Sequence, residues 1–215
     1  MCLTLYFHPL SSFCQKVLIA LYENDTPFEP HLVDLADARS RADFLKVWPI
    51  GKFPVLRDEA RDLTVPESSI IIEYLARHHP GKSQLVPSDA DLARRTRMSD
   101  RFFDLHVQLP MQKIVGDRLR PAGKNDPFGV EQARAQLQTA LDLVDQDMTA
   151  KTWATGDAFS MADCAAAPAL YYANLVAPFA ASHTNVARYF ERLMERPSFA
   201  RAVAEAEPYR KLFPN

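Results

Sequence analysis

In the segment Leu3-Thr4-Leu5-Tyr6-Phe7, Leu3, Leu5 and Phe7 alternate with Thr4 and Tyr6. It runs almost directly into Ser11-Ser12-Phe13-Cys14-Gln15-Lys16-Val17-Leu18. The first segment has the two-residue period of a strand; in the second, Phe13, Val17, Leu18, Leu21 and Tyr22 recur at helical spacing. The helix should end near Asn24-Asp25, before Pro27. Phe28 to Asp34 reads as a second strand, so the chain opens strand–helix–strand, which implies a parallel pair joined by a helical crossover. Further on, 39–47 reads as an irregular helix. Val55-Leu56 and Leu63-Thr64-Val65 are short strands around the turn Asp58-Glu59-Ala60, and Ser68 to Leu75 is a helix. The order β-α-β-α-β-β-α predicts a mixed four-stranded sheet with helices on its faces.

The pattern stops at His79-Pro80-Gly81-Lys82-Ser83 and restarts at Pro87-Ser88-Asp89. The organisation expected is an α/β domain over 1–79, a linker over 80–88 and an all-helical domain over 89–215. Val130, Ala133, Leu137, Leu141, Val144 and Met148 form its clearest apolar stripe. Pro110 should kink, and Pro121 end, the long helix that begins near Asp89. Ser160-Met161-Ala162-Asp163 fits a helix N-terminal cap, a structural role. The uncharged run from Cys164 to Ser182 approaches the length of a membrane span. It is alanine-rich, however, and broken by Pro168 and Pro178, so a buried helix explains it better.

Composition narrows the function classes. A net charge of −2 on 215 residues gives no nucleic-acid footprint. Arg94, Arg95 and Arg97 set against Asp89, Asp91 and Asp100 read as a solvated helix face. Cys2, Cys14 and Cys164 are odd in number and widely spaced, against a disulfide framework. With no export signal in the first residues, a cytoplasmic location is expected.

The chemistry concentrates at three turns. Ser11 or Ser12 stands where the first helix presents unpaired N–H groups and its positive end, an environment for an anion or thiolate. A hydroxyl there can lower a ligand thiol's pKa by donating to its sulfur, and it can equally serve as a plain helix cap. Gly51-Lys52-Phe53-Pro54-Val55 puts a proline at a strand start. If cis, it would leave the preceding backbone free to pair with an extended ligand. In Pro66-Glu67-Ser68-Ser69-Ile70 an acid and a hydroxyl meet at a helix start, suiting an ammonium and a carboxylate. Together the turns suit a small zwitterionic peptide that carries a thiol.

In motif and order these segments resemble the cytosolic glutathione transferases, across essentially the whole chain. Ser-Ser-Phe-Cys-Gln-Lys-Val is similar to the serine motif of the theta, zeta, phi and tau classes. It also resembles the omega-type Cys-Pro-Phe-Cys motif, with serine in the first position. The resemblance implies a thioredoxin-like first domain and a helical second domain that shapes the electrophile's pocket. It makes glutathione the cosubstrate, with no metal, and Ser11 the residue that activates its thiol. Pro54 would be the cis-proline and Phe53 the backbone partner of the cysteinyl part. Lys52, with Arg39 as a weaker candidate by position, would meet the glycine end, and Glu67 and Ser68 the γ-glutamyl end. The reaction implied is conjugation to, or displacement at, an electrophilic, apolar small molecule, by a homodimer with no nucleic-acid or membrane partner. Arg101 and Asp104 could reach the neighbouring subunit. Trp48-Pro49 departs from the Asn-Pro found in many members before the Gly-Lys turn.

The remaining residues have plainer readings. Cys14 lacks a second cysteine at position 11 and packs in the helix, and Cys2 and Cys164 read as structural. His78-His79 reads as a solvated helix end and His8 as a loop residue. Phe102, His106, Gln112 and Tyr171, with Phe103 and Tyr172, could line the electrophile pocket or simply belong to the core. Rival functions are a specialised glutathione-dependent isomerase, dehalogenase or ether-cleaving enzyme, a thiol reductase or peroxidase using Cys14, and a non-enzymatic binding protein. Glu67, where the isomerase branch usually has Gln, argues against the first of these.

Overall fold

The computed structural model describes residues 3–214, and the expectation for Cys2 lies outside them. The first elements are β1 (Leu3–Phe7), α1 (Ser12–Glu23), β2 (Glu29–Leu32), α2 (Ala38–Val47), β3 (Val55–Asp58), β4 (Leu63–Pro66) and α3 (Ser68–His78). They form a four-stranded sheet in the order β2-β1-β3-β4. β1 runs parallel to β2, and β3 antiparallel to both β1 and β4. The alternation in β1 has the expected consequence: Leu3, Leu5 and Phe7 are buried, and Leu5 lies opposite Leu56 of β3. α2 is a regular α-helix where the sequence suggests an irregular one. Its apolar pattern is thin because it buries only Phe44, while Asp37 starts it by accepting the Ser40 N–H at 2.7 Å.

The chain then leaves the sheet. Gly81 passes so close to Asn24, just after α1, that a Cβ would lie 2.4 Å from the Asn24 Cβ, so only glycine fits there. Asn24 Oδ1 accepts the Ser83 N–H at 2.7 Å, and Leu85 O accepts the Met161 N–H at 2.9 Å, pinning the connection at both ends.

Beyond this connection the chain is helical: α4 (Ala90–Phe102), a π-helical stretch (Phe103–Gln108), α5 (Leu109–Arg118), α6 (Pro127–Asp147), α7 (Met161–Val176), α8 (Thr184–Met194) and α9 (Pro197–Ala206). Pro110 acts as expected, by a definite route. It has no N–H to give the carbonyl four residues back, and the turn just before it widens until Leu109 N–H bonds Asp104 O. α5 ends at Arg118, ahead of Pro121.

α7 is the centre of the helical layer. It is buried at nearly every position, holds Pro168 inside it, and packs against α1 and α4. Among the described residues no helix is long and apolar enough to cross a membrane. The cap at the start of α7 is a capping box between Ser160 and Asp163. Asp163, fully buried, also accepts the Ala154 N–H at 2.8 Å and the Tyr189 hydroxyl at 2.6 Å. Burial pushes its carboxyl above the usual range, and these hydrogen bonds work against that shift.

Candidate functional site

At the C-terminal ends of β1 and β4 and the N-terminal end of β3 lies a cleft of 420 Å³ between the sheet unit and the α4–α5 region, lined on its sheet side by Ser11, Lys52, Phe53, Pro54, Glu67 and Ser68. Each arrives by a local device. Ser11 is the N-cap of α1, with extended backbone and its Oγ accepting the Cys14 N–H at 3.3 Å. The capping reading of this serine is thus realised, and the same hydroxyl still lines the cleft. A hydroxyl that accepts from the backbone keeps its own proton for another acceptor. Ser12 is buried and lines the adjoining cavity but not this cleft, which distinguishes the two serines.

The Phe53-Pro54 peptide is cis. Phe53 precedes β3, and its backbone N–H and carbonyl take no part in the hydrogen bonds of the loops described. Glu67 stands at φ 70°, outside the backbone region that favours a side chain, at the N-terminus of α3. Such a conformation costs on the order of 1–3 kcal/mol and is concentrated at functional positions. It leaves the Glu67 carboxylate exposed beside the α3 N–H groups, with Ser68 buried next to it. Arg39, by contrast, is exposed on α2 and does not line the cleft.

The opposite wall is Arg101, Asp104, Leu105, Leu109 and Gln112. Beneath it lies a buried ionic cluster that sequence reasoning missed. Lys16, only 1% exposed, reaches Asp100 at 2.7 Å and Asp104 at 2.8 Å, and donates to Ser69 Oγ at 2.9 Å. Ser69 in turn donates to Asp100 Oδ2 at 2.6 Å. Burial raises the Asp104 carboxyl, and the Lys16 charge opposes that. Asp100 is therefore no part of a solvated face; Asp89 is also committed, as the cap of α4. Nor does Asp104 point away toward another subunit, since it is buried against Lys16 with Arg101 at 3.9 Å. Lysine and aspartate at helical spacing look alike whether solvated or buried, so no local signal marks this cluster.

A second cavity of 430 Å³ shares Ser11, Phe53 and Gln112 with the cleft and continues along Gln108, Met111, Val115, Leu119, Tyr172 and Phe213. Of the residues expected to line an electrophile pocket, Gln112 is in both. Tyr171 instead lines a third cavity behind this one. Phe102 lines a groove with Met98, Leu143 and Met148, and exposed His106 packs against Phe102 with ring centroids 5.3 Å apart. Both lie away from Ser11: Phe102 and His106, one turn apart, share a helix face different from the one that carries Arg101, Leu105 and Gln112 into the cleft. Tyr172, also among the expected residues, does line the second cavity; Phe213 and Met111 were the lining residues to find.

Cys14 is fully buried and lines neither cavity; burial pushes its thiol up to about 12, so it stays protonated at neutral pH. Cys164 is likewise buried and raised by burial. His79 corrects the expectation of a solvated helix end. Its Nε2 lies 3.1 Å from Asp58 Oδ2, the oxygen that also accepts the Tyr74 hydroxyl at 2.7 Å. His8 follows β1 and stacks over Phe53 at 6.2 Å, with its pKa lowered by burial.

Known proteins share both halves of this architecture. The glutathione S-transferase N-terminal domain model matches residues 5–83 and the C-terminal domain model residues 127–192. Human glutathione S-transferase theta-1 is 31% identical, over 76% of this chain and 70% of its own length. The chain belongs to the glutathione S-transferase family. Glutathione S-transferase GstB of Escherichia coli is 28% identical over 94% of this chain and 97% of its own. A crystal structure of a Methylobacillus flagellatus glutathione S-transferase with glutathione bound superposes with a TM-score of 0.85. It is 27% identical and covers 93% of this chain and 98% of that one. The mixed sheet and the helical layer behind it are thus those of the family.

Proposed function

We propose that this family member binds glutathione in the cleft and presents its thiolate to an electrophilic carbon of a small, largely apolar molecule held in the adjoining cavity. The observation that carries the reading is convergence. Ser11, the cis Phe53-Pro54 peptide and the Glu67-Ser68 helix start come from separate parts of the chain and line one cleft. Glu67 takes the γ-glutamyl ammonium, while Ser68 and the α3 N–H groups take the carboxylate beside it. Phe53 offers its backbone to the cysteinyl unit, and Lys52 attracts the glycine carboxylate. Arg39 has no part in this binding set.

Ser11 donates its hydroxyl proton to the sulfur and favours the thiolate; the thiol proton passes to solvent. The sulfur pair then forms a C–S bond. Where the carbon carries a halide, the halide departs with its bonding pair; where it is part of a conjugated carbonyl, the resulting enolate takes a proton from water. Orientation and a lowered thiol pKa account for the rate, with no covalent enzyme intermediate. A thiol reductase using Cys14 is disfavoured by that residue's burial and its raised pKa. The proposal includes a homodimer, which sedimentation of the pure protein tests.

The functional test is calorimetric titration with glutathione followed by an aryl halide conjugation assay, on wild type and Ser11→Ala. Binding in both, with turnover lost in the variant, supports the reading. Absence of binding at millimolar glutathione, or turnover unchanged in Ser11→Ala, contradicts it.

A further inference from the structure

The cavity that adjoins the cleft at Ser11, Phe53 and Gln112 is apolar over most of its remaining lining, with Leu10, Met111, Val115, Leu119 and Phe213. Most of its polar groups are accounted for. Ser11 and Ser12 stand together at the start of α1, where the sulfur is proposed to arrive. The Tyr172 hydroxyl donates to Leu10 O at 2.7 Å and accepts from Gln15 Nε2 at 3.3 Å. Gln112 is exposed, so water serves its amide.

Gln108 is different. It is the last residue of the π-helical stretch, is only 3% exposed, and lines this cavity. Its Oε1 is buried and has no hydrogen-bond partner among the described residues. Buried side-chain carbonyls are nearly always paired, and leaving one unpaired is costly. A ligand group that enters beside it must therefore bring a donor, or lose what water would have given. A hydroxyl meets that demand in either orientation of the amide. It donates to Oε1, and it accepts from Nε2 when the amide turns about its last torsion, which is broad for glutamine.

We infer that the cavity selects a hydroxylated aromatic electrophile, whose hydroxyl is recognised by the buried amide of Gln108. The inference rests on the proposed transfer of glutathione to a molecule held there. Phe53, Tyr172 and Phe213 supply aromatic walls against which a ring can stack. The hydroxyl takes no part in bond making: sulfur attacks the electrophilic carbon, and the O–H is intact in the product. Gln108 is thus a specificity-determining residue. An analogue without the hydroxyl strands a buried carbonyl, which discriminates more sharply than a change of shape in an apolar pocket.

The test separates recognition from turnover. Calorimetry on the intact protein, in the presence of glutathione, measures binding of saturated, unreactive phenyl ketones. The series holds the three ring-hydroxy isomers, their methyl ethers and the unsubstituted ketone. With wild type, at least one hydroxy isomer should bind about tenfold or more tightly than both its ether and the unsubstituted ketone. Gln108→Met, similar in size and lacking the amide, should abolish that preference. It should also melt no lower than wild type, because the amide oxygen has no partner in the fold to lose. Equal affinities across the series in wild type, or no binding of any member, would overturn the inference. So would a preference that survives Gln108→Met, or a clear drop in melting temperature for that variant. The corresponding enones, assayed for conjugation, report on the wider reading. A hydroxyl preference in binding without conjugation of any enone would sink the transferase reading and leave the Gln108 site standing. Conjugation of all the enones with no binding preference would do the reverse.

Discussion

The sheet wall of the cleft is built from short-range devices: Ser11 caps the helix it begins, Phe53 sits against its own cis proline, and Glu67 and Ser68 start α3. The helical wall is held from far away, since Lys16 reaches Asp104 across 88 positions of sequence. Mutating a short-range device should disturb the ligand and spare the fold. A change in the long-range cluster should strike stability first, because a buried carboxylate left without its cation cannot be hydrated.

The strongest way to break this contrast is Lys16→Met. It strands Asp100 and Asp104, and should cost about 3–5 kcal/mol in chemical denaturation. Adding Asp100→Asn and Asp104→Asn removes the stranded charges and should restore much of the loss; a triple variant as unstable as Lys16→Met would contradict the ionic account. Asp163→Ala comes next. It removes a capping box and leaves the Ala154 N–H and Tyr189 hydroxyl unpaired in the core, at about 3 kcal/mol.

On the sheet wall, Ser11→Ala should lower kcat by on the order of a hundredfold, as loss of a single hydrogen bond to a reacting anion does elsewhere. It should change glutathione affinity by less than about threefold, since Glu67 and Ser68 remain. Equal losses in turnover and affinity would assign Ser11 to binding alone.

Acid should give the smallest effect. Burial alone would raise the Asp58 carboxyl, but hydrogen bonds from Tyr74, His79 and Arg61 hold it well below the usual range. A carboxyl depressed in the folded state stabilises above its unfolded pKa of about 4 and loses that contribution as pH falls below it. The stability advantage of wild type over Asp58→Asn should therefore be full at neutral pH and shrink below about pH 4. An advantage that grows on acidification would reverse the sign of this account.

The same contrast explains what the sequence made legible. The order of elements along the first domain, the proline at the start of β3 and the capping box at Ser160 depend on residues within a few positions of each other, and periodicity or turn chemistry exposes them. The turns that hold Ser11, Lys52, Phe53, Pro54, Glu67 and Ser68 could be nominated for that reason, the individual residues came from the family resemblance, and they line one cleft. Lys16, Asp100 and Asp104 were invisible because their meaning depends on which helices touch. Phe102 and His106 failed for a related reason: which face of the helix meets the cleft depends on what packs against it, and helical spacing alone does not say. Arg39 failed because position along the chain was its only support.

The most direct test of the central claim is the pKa of the glutathione thiol in the binary complex, followed through thiolate ultraviolet absorbance across a pH titration. If Ser11 stabilises the thiolate, the bound thiol should titrate at least about one unit below its free value, and Ser11→Ala should return it toward that value. A bound thiol that titrates as it does in water, or a lowered pKa that Ser11→Ala leaves in place, would contradict the account.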